Sequence, residues 1–275
     1  MAYCYCLGCS NLLNYCTCKK GETMKQMTPK EARRVIGTIR KLTAEYFANA
    51  NKKYAVLGVS GGLDSAVVAG IMSGIKTIKT IGCILPCESN PIDATLAGKV
   101  INKYKLCPVY QNLYPEYLSV FTELKDMPYK LPVHDIPEDR LNRAYGNIKA
   151  RLRMITLYHI AQIMNGIVVG TGNRTELEIG YGTKYGDDGV DIQPIGDLYK
   201  YEVYAVAKQL GVPIEIQTRP PSAGLFEGQT DEKEIGMTYK EIDSMLIGDT
   251  PRSVNLVQRI KANQHKLSLP PVFKK

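Results

Sequence analysis

From residue 28 onward the chain alternates short apolar runs with longer segments whose apolar residues recur at helical spacing. The first helix starts at Thr28-Pro29-Lys30-Glu31. Thr28 can cap it, Pro29 suits its first position and Glu31 completes a capping box. Val35, Ile36, Ile39, Leu42 and Tyr46 then recur on one face. Tyr54–Val59 reads as a buried strand, Ala66–Met72 as a helix, Thr80–Leu85 as a strand and Pro91–Tyr104 as a helix. A short strand is expected at Pro108–Tyr110 and a long helix, partly lined with Arg and Lys, at Asp139–Met164. Gly166–Gly170 is a strand centred on Ile-Val-Val, and Lys200–Leu210 a helix stopped by Gly211 and Pro213. This order predicts an α/β fold: a doubly wound parallel sheet with helices on both faces and ligands at the carboxyl ends of its strands. Residues 126–138, with three prolines, read as a surface connection, and 218–236 as a long glycine- and proline-bearing binding loop or lid. No internal repeat is evident.

Composition narrows the picture only modestly. The chain has 275 residues, 44% hydrophobic and 23% charged, as expected for a packed globular protein. Its net charge of +8 favours an anionic partner without separating nucleic acid from a phosphorylated small molecule. No apolar run approaches the roughly 20 residues of a membrane span, and the start lacks the pattern of a secretory signal. Five of eight cysteines (Cys4, Cys6, Cys9, Cys16 and Cys18) crowd the first eighteen residues. Residues 1–27 therefore read as a Cys-rich appendage to a domain at 28–275. With no secretory signal, a reducing cytoplasm is expected rather than a disulfide scaffold. The five thiols form one Cys-x-x-Cys and two Cys-x-Cys pairs, spacings that can surround a structural Zn2+. The alternatives are an unstructured tail, or translation that naturally begins at Met24.

The strongest local signal is Gly58-Val59-Ser60-Gly61-Gly62-Leu63-Asp64-Ser65, between a strand and a helix. Adjacent glycines let backbone N–H groups approach phosphate oxygens, and Asp64 adds a carboxylate suited to a Mg2+ that bridges phosphates. The segment is neither a Walker A loop nor a Rossmann fingerprint. Gly170-Thr171-Gly172-Asn173-Arg174-Thr175-Glu176 follows the Ile-Val-Val strand and should reach the same sheet edge, where Glu176 would pair with Asp64. Alone, Glu176 would read as a solvated turn residue, and Lys200, which opens a helix aimed at the same place, as an exposed lysine. Arg151 and Arg153 lie two apart on a helix and must point in different directions, so one can bind ligand while the other braces the fold.

The glycine loop resembles the pyrophosphate loop of enzymes that split ATP into AMP and pyrophosphate. Within that group the chain resembles the ammonia-dependent NAD synthetase family from about Thr28 onward. The resemblance rests on Ser-Gly-Gly-Leu-Asp-Ser (60–65), Gly-Asn-Ile-Lys-Ala-Arg-Leu-Arg-Met (146–154), Gly-Thr-Gly-Asn-Arg-Thr-Glu-Leu (170–177) and Thr-Lys-Tyr-Gly-Asp (183–187). Pro-Ile-Gly-Asp-Leu-Tyr-Lys (194–200), Pro-Pro-Ser-Ala-Gly-Leu-Phe-Glu-Gly-Gln-Thr-Asp-Glu (220–232) and His265-Lys266 complete it. It implies that Gly58, Ser60, Gly61, Gly62, Leu63, Asp64 and Ser65, with Thr171, Lys200 and Ser222, contact ATP. Asp64 and Glu176 would hold Mg2+. Arg151, Lys184, Asp191, His265 and Lys266 would contact deamido-NAD, and Asp187 would stand near the nicotinate, where ammonia arrives. Where the family usually reads Gly-Asp-Gly-Gly this chain has Gly-Asp-Asp-Gly, so Asp188 should alter that turn. Ser222 stands where some members have Thr, which keeps the hydroxyl.

The resemblance implies the closing step of NAD biosynthesis, with no nucleic acid or membrane partner and a homodimer whose second subunit helps complete the dinucleotide site near His265 and Lys266. Glutamine-using members carry an extra N-terminal amidase domain that 27 residues cannot hold, so free ammonia is the expected nitrogen source. The rival readings are a tRNA-modifying pyrophosphate-loop enzyme with an N-terminal zinc segment, and a nucleotide-binding module without catalysis. The later motifs oppose the first, and the presence of both Asp64 and Glu176 opposes the second.

Overall fold

The computed structural model describes the chain except residues 1–23, 128–130, 132–134, 223, 225–229, 269 and 274–275. The five cysteines of the zinc reading, Cys4 to Cys18, lie outside the described residues.

Helix α1 (Pro29–Asn49) carries the expected capping box: the Thr28 N–H donates to the Glu31 carboxylate at 2.8 Å, and the Glu31 N–H donates to the Thr28 hydroxyl at 3.3 Å. The strands β1 (Tyr54–Gly58), β2 (Lys79–Ile84), β3 (Cys107–Tyr110) and β4 (Ile167–Val169) form one parallel sheet ordered β3-β2-β1-β4. Alternation along β1 sends side chains to opposite faces. Ala55 and Leu57 join a core built with α1, α2 (Leu63–Met72), α3 (Pro91–Tyr104) and α7 (Lys200–Leu210). Val56 joins Ile81, Cys83 and Val168 against α4 (Tyr114–Leu124) and α5 (Glu138–Ile163). Helices therefore cover both faces, as the alternating pattern predicts. Helix α2 is apolar except at Asp64 and Ser65, and every residue in it but Asp64 is buried; a helix of that kind belongs in the middle of a fold.

The carboxyl edge of the sheet carries a third, smaller core. There α6 (Arg174–Ile179), α9 (Asp231–Ile235), α10 (Tyr239–Ile247) and α11 (Val254–Leu267) bury Ile179, Ile235, Ile242 and Leu256. None of these four helices, nor α4 or α8 (Ile214–Gln217), was expected from the pattern. The long loop read at 218–236 is interrupted by α9. Among the described residues before Thr28, Met27 packs on the main core and the Met24 N–H donates to Asp249 at 3.4 Å. Among the described residues no helix is long and apolar enough to cross a membrane.

Candidate active site

The β1–β4 pair brings both glycine-bearing segments to one edge, with Leu57 beside Val169. After Gly58 the backbone turns at Gly61, whose φ is +82°. A Cβ at that position would lie 2.4 Å from the Asp93 carbonyl oxygen, so only glycine fits. Two serines shape the loop. Ser65 Oγ accepts from the Ser60 N–H at 3.2 Å and donates to the Gly62 carbonyl at 3.1 Å, while Ser60 Oγ accepts from the Gly62 N–H at 3.2 Å. Gly62 caps α2 without a side chain, which leaves the helix start facing a cleft of about 1170 Å³. Of the residues singled out from the sequence, Gly58, Ser60, Gly62, Leu63, Asp64, Ser65, Arg151, Thr171, Glu176, Lys184, Asp187, Lys200, Ser222, His265 and Lys266 all line this cleft. Gly61 supports the loop from behind.

At the glycine-loop end, buried Lys200 places Nζ 2.7 Å from Asp64 Oδ2 and 3.1 Å from Glu176 Oε1. It is therefore not the exposed lysine that isolated reading would favour. Glu176 is not a turn residue: it closes a capping box with Asn173, whose side chain accepts from the Glu176 N–H at 3.0 Å and donates to Asp64 Oδ1 at 3.0 Å. Asn173 thus sets both carboxylates and was missed, although Asn-x-x-Glu was readable. Asp231 also faces this group, receiving the Tyr181 hydroxyl at 3.0 Å and the Tyr239 hydroxyl at 2.9 Å. Burial, followed by the Asp64 and Asp231 charges, raises the Glu176 carboxyl to about 7 in spite of Lys200. Burial opposes the Lys200 charge, but Asp64 and Glu176 more than offset it and hold the ammonium above its usual range. Three carboxylates to one cation leave an excess of negative charge and hard oxygen donors. Among the described residues no three metal-ligating side chains converge. Two carboxylates suit a cation such as Mg2+, which takes its remaining ligands from phosphates and water.

The other end is built from α5, the Gly180–Gly189 turns and α11. Lys184 Nζ donates to the His265 carbonyl at 2.6 Å. Lys266 Nζ donates to the carbonyls of Gly180 at 3.1 Å and Gly182 at 3.2 Å, and Arg151 donates to the Lys184 carbonyl at 3.3 Å. His265 and Lys266, expected to serve a site shared between subunits, return along α11 to this chain's own cleft. Arg153 braces the fold as the alternate-direction argument requires, donating to the Leu85 carbonyl and Ser89 hydroxyl at 3.0 Å each. Asp187 opens onto the cleft yet is hemmed in by protein. Desolvation raises its carboxyl, against the Thr183 N–H that donates to it at 2.9 Å.

Asp188 is raised to about 7 by burial and then by Asp187, and its Oδ2 has no hydrogen-bond partner among the described residues. Its carboxylate rests on Gly182, where a Cβ would lie 2.4 Å from Asp188 Oδ1. Asp191 lies outside the main cleft. It accepts the Val168 N–H at 2.8 Å and the Tyr158 hydroxyl at 3.1 Å, extending the edge of β4, and borders a cavity of about 210 Å³ with Asp188 and Lys266. Cys83 also borders the main cleft, but burial pushes its thiol up to about 12, which leaves no thiolate nucleophile there.

The NAD synthase family model matches residues 35–270. The NH3-dependent NAD+ synthetase of Carboxydothermus hydrogenoformans is 44% identical over 246 residues, 88% of this chain and 96% of that protein. Among solved structures, the NMN synthetase of Francisella tularensis aligns with a TM-score of 0.78 at 33% identity, covering 90% of this chain and 99% of that one. The NH3-dependent NAD synthetase of Campylobacter jejuni aligns with a TM-score of 0.69 at 25% identity, covering 88% and 99%.

Proposed function

Because the chain belongs to the NAD synthase family, we propose that it amidates the nicotinate carboxylate of deamido-NAD with ammonia, splitting ATP into AMP and pyrophosphate. The observation that carries this reading is one cleft with two chemically different ends: a glycine loop with Asp64, Glu176 and Lys200 at one, and Arg151, Lys184, Asp187 and Lys266 at the other.

Ammonia cannot displace oxide from a carboxylate at neutral pH, so the oxygen must first become part of a leaving group. The substrate carboxylate attacks the α-phosphorus of ATP; a P–O bond forms and pyrophosphate leaves. Ammonia then attacks the acyl carbon, loses a proton, and AMP departs with the former carboxylate oxygen. Backbone N–H groups of Gly61 and of residues 63–65 receive phosphate oxygens, with Thr171 and Ser222 supplying hydroxyls beside them. Lys200 stabilises the charge that develops on the phosphates. Asp64 and Glu176 would hold Mg2+, which when bound would supply positive charge for the phosphate oxygens. Arg151, Lys184, His265 and Lys266 hold the anionic dinucleotide. Asp187 faces the nicotinate, where a carboxylate can hold ammonium and take up its proton. Asp191 shapes this end through the β4 edge or touches the dinucleotide directly. We assign the enzyme to the cytoplasm and to a homodimer on the resemblance alone.

The test is product formation by the purified chain from deamido-NAD, ATP, Mg2+ and ammonium. NAD, AMP and pyrophosphate should appear in equal amounts, and glutamine at equal concentration should not replace ammonium. Nicotinate mononucleotide serves as a second substrate, since the Francisella tularensis relative is named for NMN; faster amidation there would move the substrate to the mononucleotide. ATP splitting stimulated by bulk tRNA, without NAD formation, would sink the proposal.

A further inference from the structure

Tyr239 stands where three features of the phosphate end meet, yet the chemistry above does not use it. Its buried ring lies under Lys200, with Nζ 4.6 Å from the centroid. Its hydroxyl is 3.1 Å from Glu176 Oε1 and 2.9 Å from Asp231 Oδ2. Asp231 is itself buried and opens α9. Its backbone N–H donates to the Pro221 carbonyl at 3.0 Å, which joins the two ends of the segment between them. Its other oxygen accepts from Tyr181, whose hydroxyl also reaches Glu234 at 3.0 Å.

Donor accounting makes this arrangement informative. A phenol has one hydrogen, so Tyr239 donates to only one of the two carboxylates at a time, and Asp231 competes with Glu176 for it. A glutamate has three side-chain torsions to fix before an oxygen can face a cation. Lys200 restrains Oε1, and the Asn173 N–H reaches Oε2 at 3.4 Å, a long contact. The Tyr239 hydroxyl is the further short restraint on Oε1.

Resting on the assignment of Glu176 to the Mg2+–ATP site, we propose that Tyr239 is a positioning residue for Glu176, for which Asp231 competes, and that the two link its carboxylate to the stem at Pro221 and Asp231. Neither is a catalytic residue; both act through the glutamate.

Tyr239→Phe keeps the ring under Lys200 and removes only the hydroxyl. Mn2+ is the probe, its binding to the full chain with α,β-methylene-ATP followed by loss of the free-ion EPR signal. The Mn2+ dissociation constant and the apparent KM for Mg2+ should each rise about tenfold or more, the worth of one hydrogen bond to a charged group. The KM for deamido-NAD should stay within about twofold, because only metal-linked binding is lost. Asp231→Asn replaces the competing carboxylate with an amide that can donate to the phenol oxygen, which leaves the hydrogen to Glu176, so Mn2+ binding should hold or tighten. Unchanged Mn2+ binding in Tyr239→Phe, or an equal loss toward every substrate with a collapsed melting temperature, overturns the inference. If the unaltered chain makes NAD and binds Mn2+ while Tyr239→Phe matches it, only the positioning role falls. If the unaltered chain does neither, the functional reading falls with it.

Discussion

The two ends of the cleft hold their charges in opposite ways. At the phosphate end, Lys200 is buried and paired side chain to side chain with Asp64 and Glu176, from three different elements. At the other end, Lys184, Lys266 and Arg151 donate to backbone carbonyls of neighbouring turns. The first arrangement is preorganised and over-determined: each group fixes the next, and removing one leaves buried charge unbalanced. In the second, among the described residues, no ion pair holds these cations, so a carbonyl can be exchanged for an anionic ligand without breaking one. A site that must stabilise charge developing during reaction gains from the first. A site that must accept and release a dinucleotide gains from the second.

Substitutions should separate the ends. The largest effect is expected from Lys200→Met, which leaves Asp64 and Glu176 facing each other. Turnover should fall more than about 100-fold, and stability should drop by about 3 kcal/mol or more, as for breaking a buried pair. Asp64→Ala and Glu176→Ala should also abolish turnover, but with the far-ultraviolet circular dichroism retained. Near-normal rates in both would remove the metal-site assignment. At the opposite end, Lys184→Ala should leave the fold and the KM for ATP unchanged while raising the KM for deamido-NAD about tenfold. A fall in kcat alone would blur the contrast between the ends.

The smallest effect concerns Asp188. Its carboxyl is raised from the usual 3.8 to about 7, so the folded chain binds that proton more tightly than the unfolded chain does. The linked destabilisation is absent below the unfolded value and fully present once the pH has passed about 7. Asp188→Asn should therefore raise the melting temperature by about 3 °C or more at pH 8 and leave it unchanged near pH 3.5. Equal shifts at both pH values would place the effect in packing instead.

Legibility from sequence followed the same divide. The sheet, its two helical faces and the glycine loop were readable because each rests on local pattern: buried runs such as Tyr54–Gly58, a capping box at Thr28 and a helix stop at Gly211. The pairing of Lys200 with Asp64 spans 136 positions, and no periodicity announces it. Helices α10 and α11 build the third core, and α10 even carries a readable capping box at Thr238 and Glu241. Their mixed polarity hid them among the loops. Asp231 and Tyr239 were passed over because a buried carboxylate and a buried phenol acquire meaning only from what they touch. Asp191 shows the converse. Its motif pointed to a ligand, and the fold also gives it structural partners, the Val168 N–H of β4 and the Tyr158 hydroxyl of α5.

The central claim is that this cleft joins the substrate carboxylate to the α-phosphorus of ATP before nitrogen enters. Deamido-NAD labelled with 18O in its carboxylate tests that directly. Mass spectrometry of the products formed with ammonium, ATP and Mg2+ should find one labelled oxygen in AMP for each NAD made, and none in pyrophosphate. Label in pyrophosphate, or AMP free of label while NAD accumulates, would contradict the account.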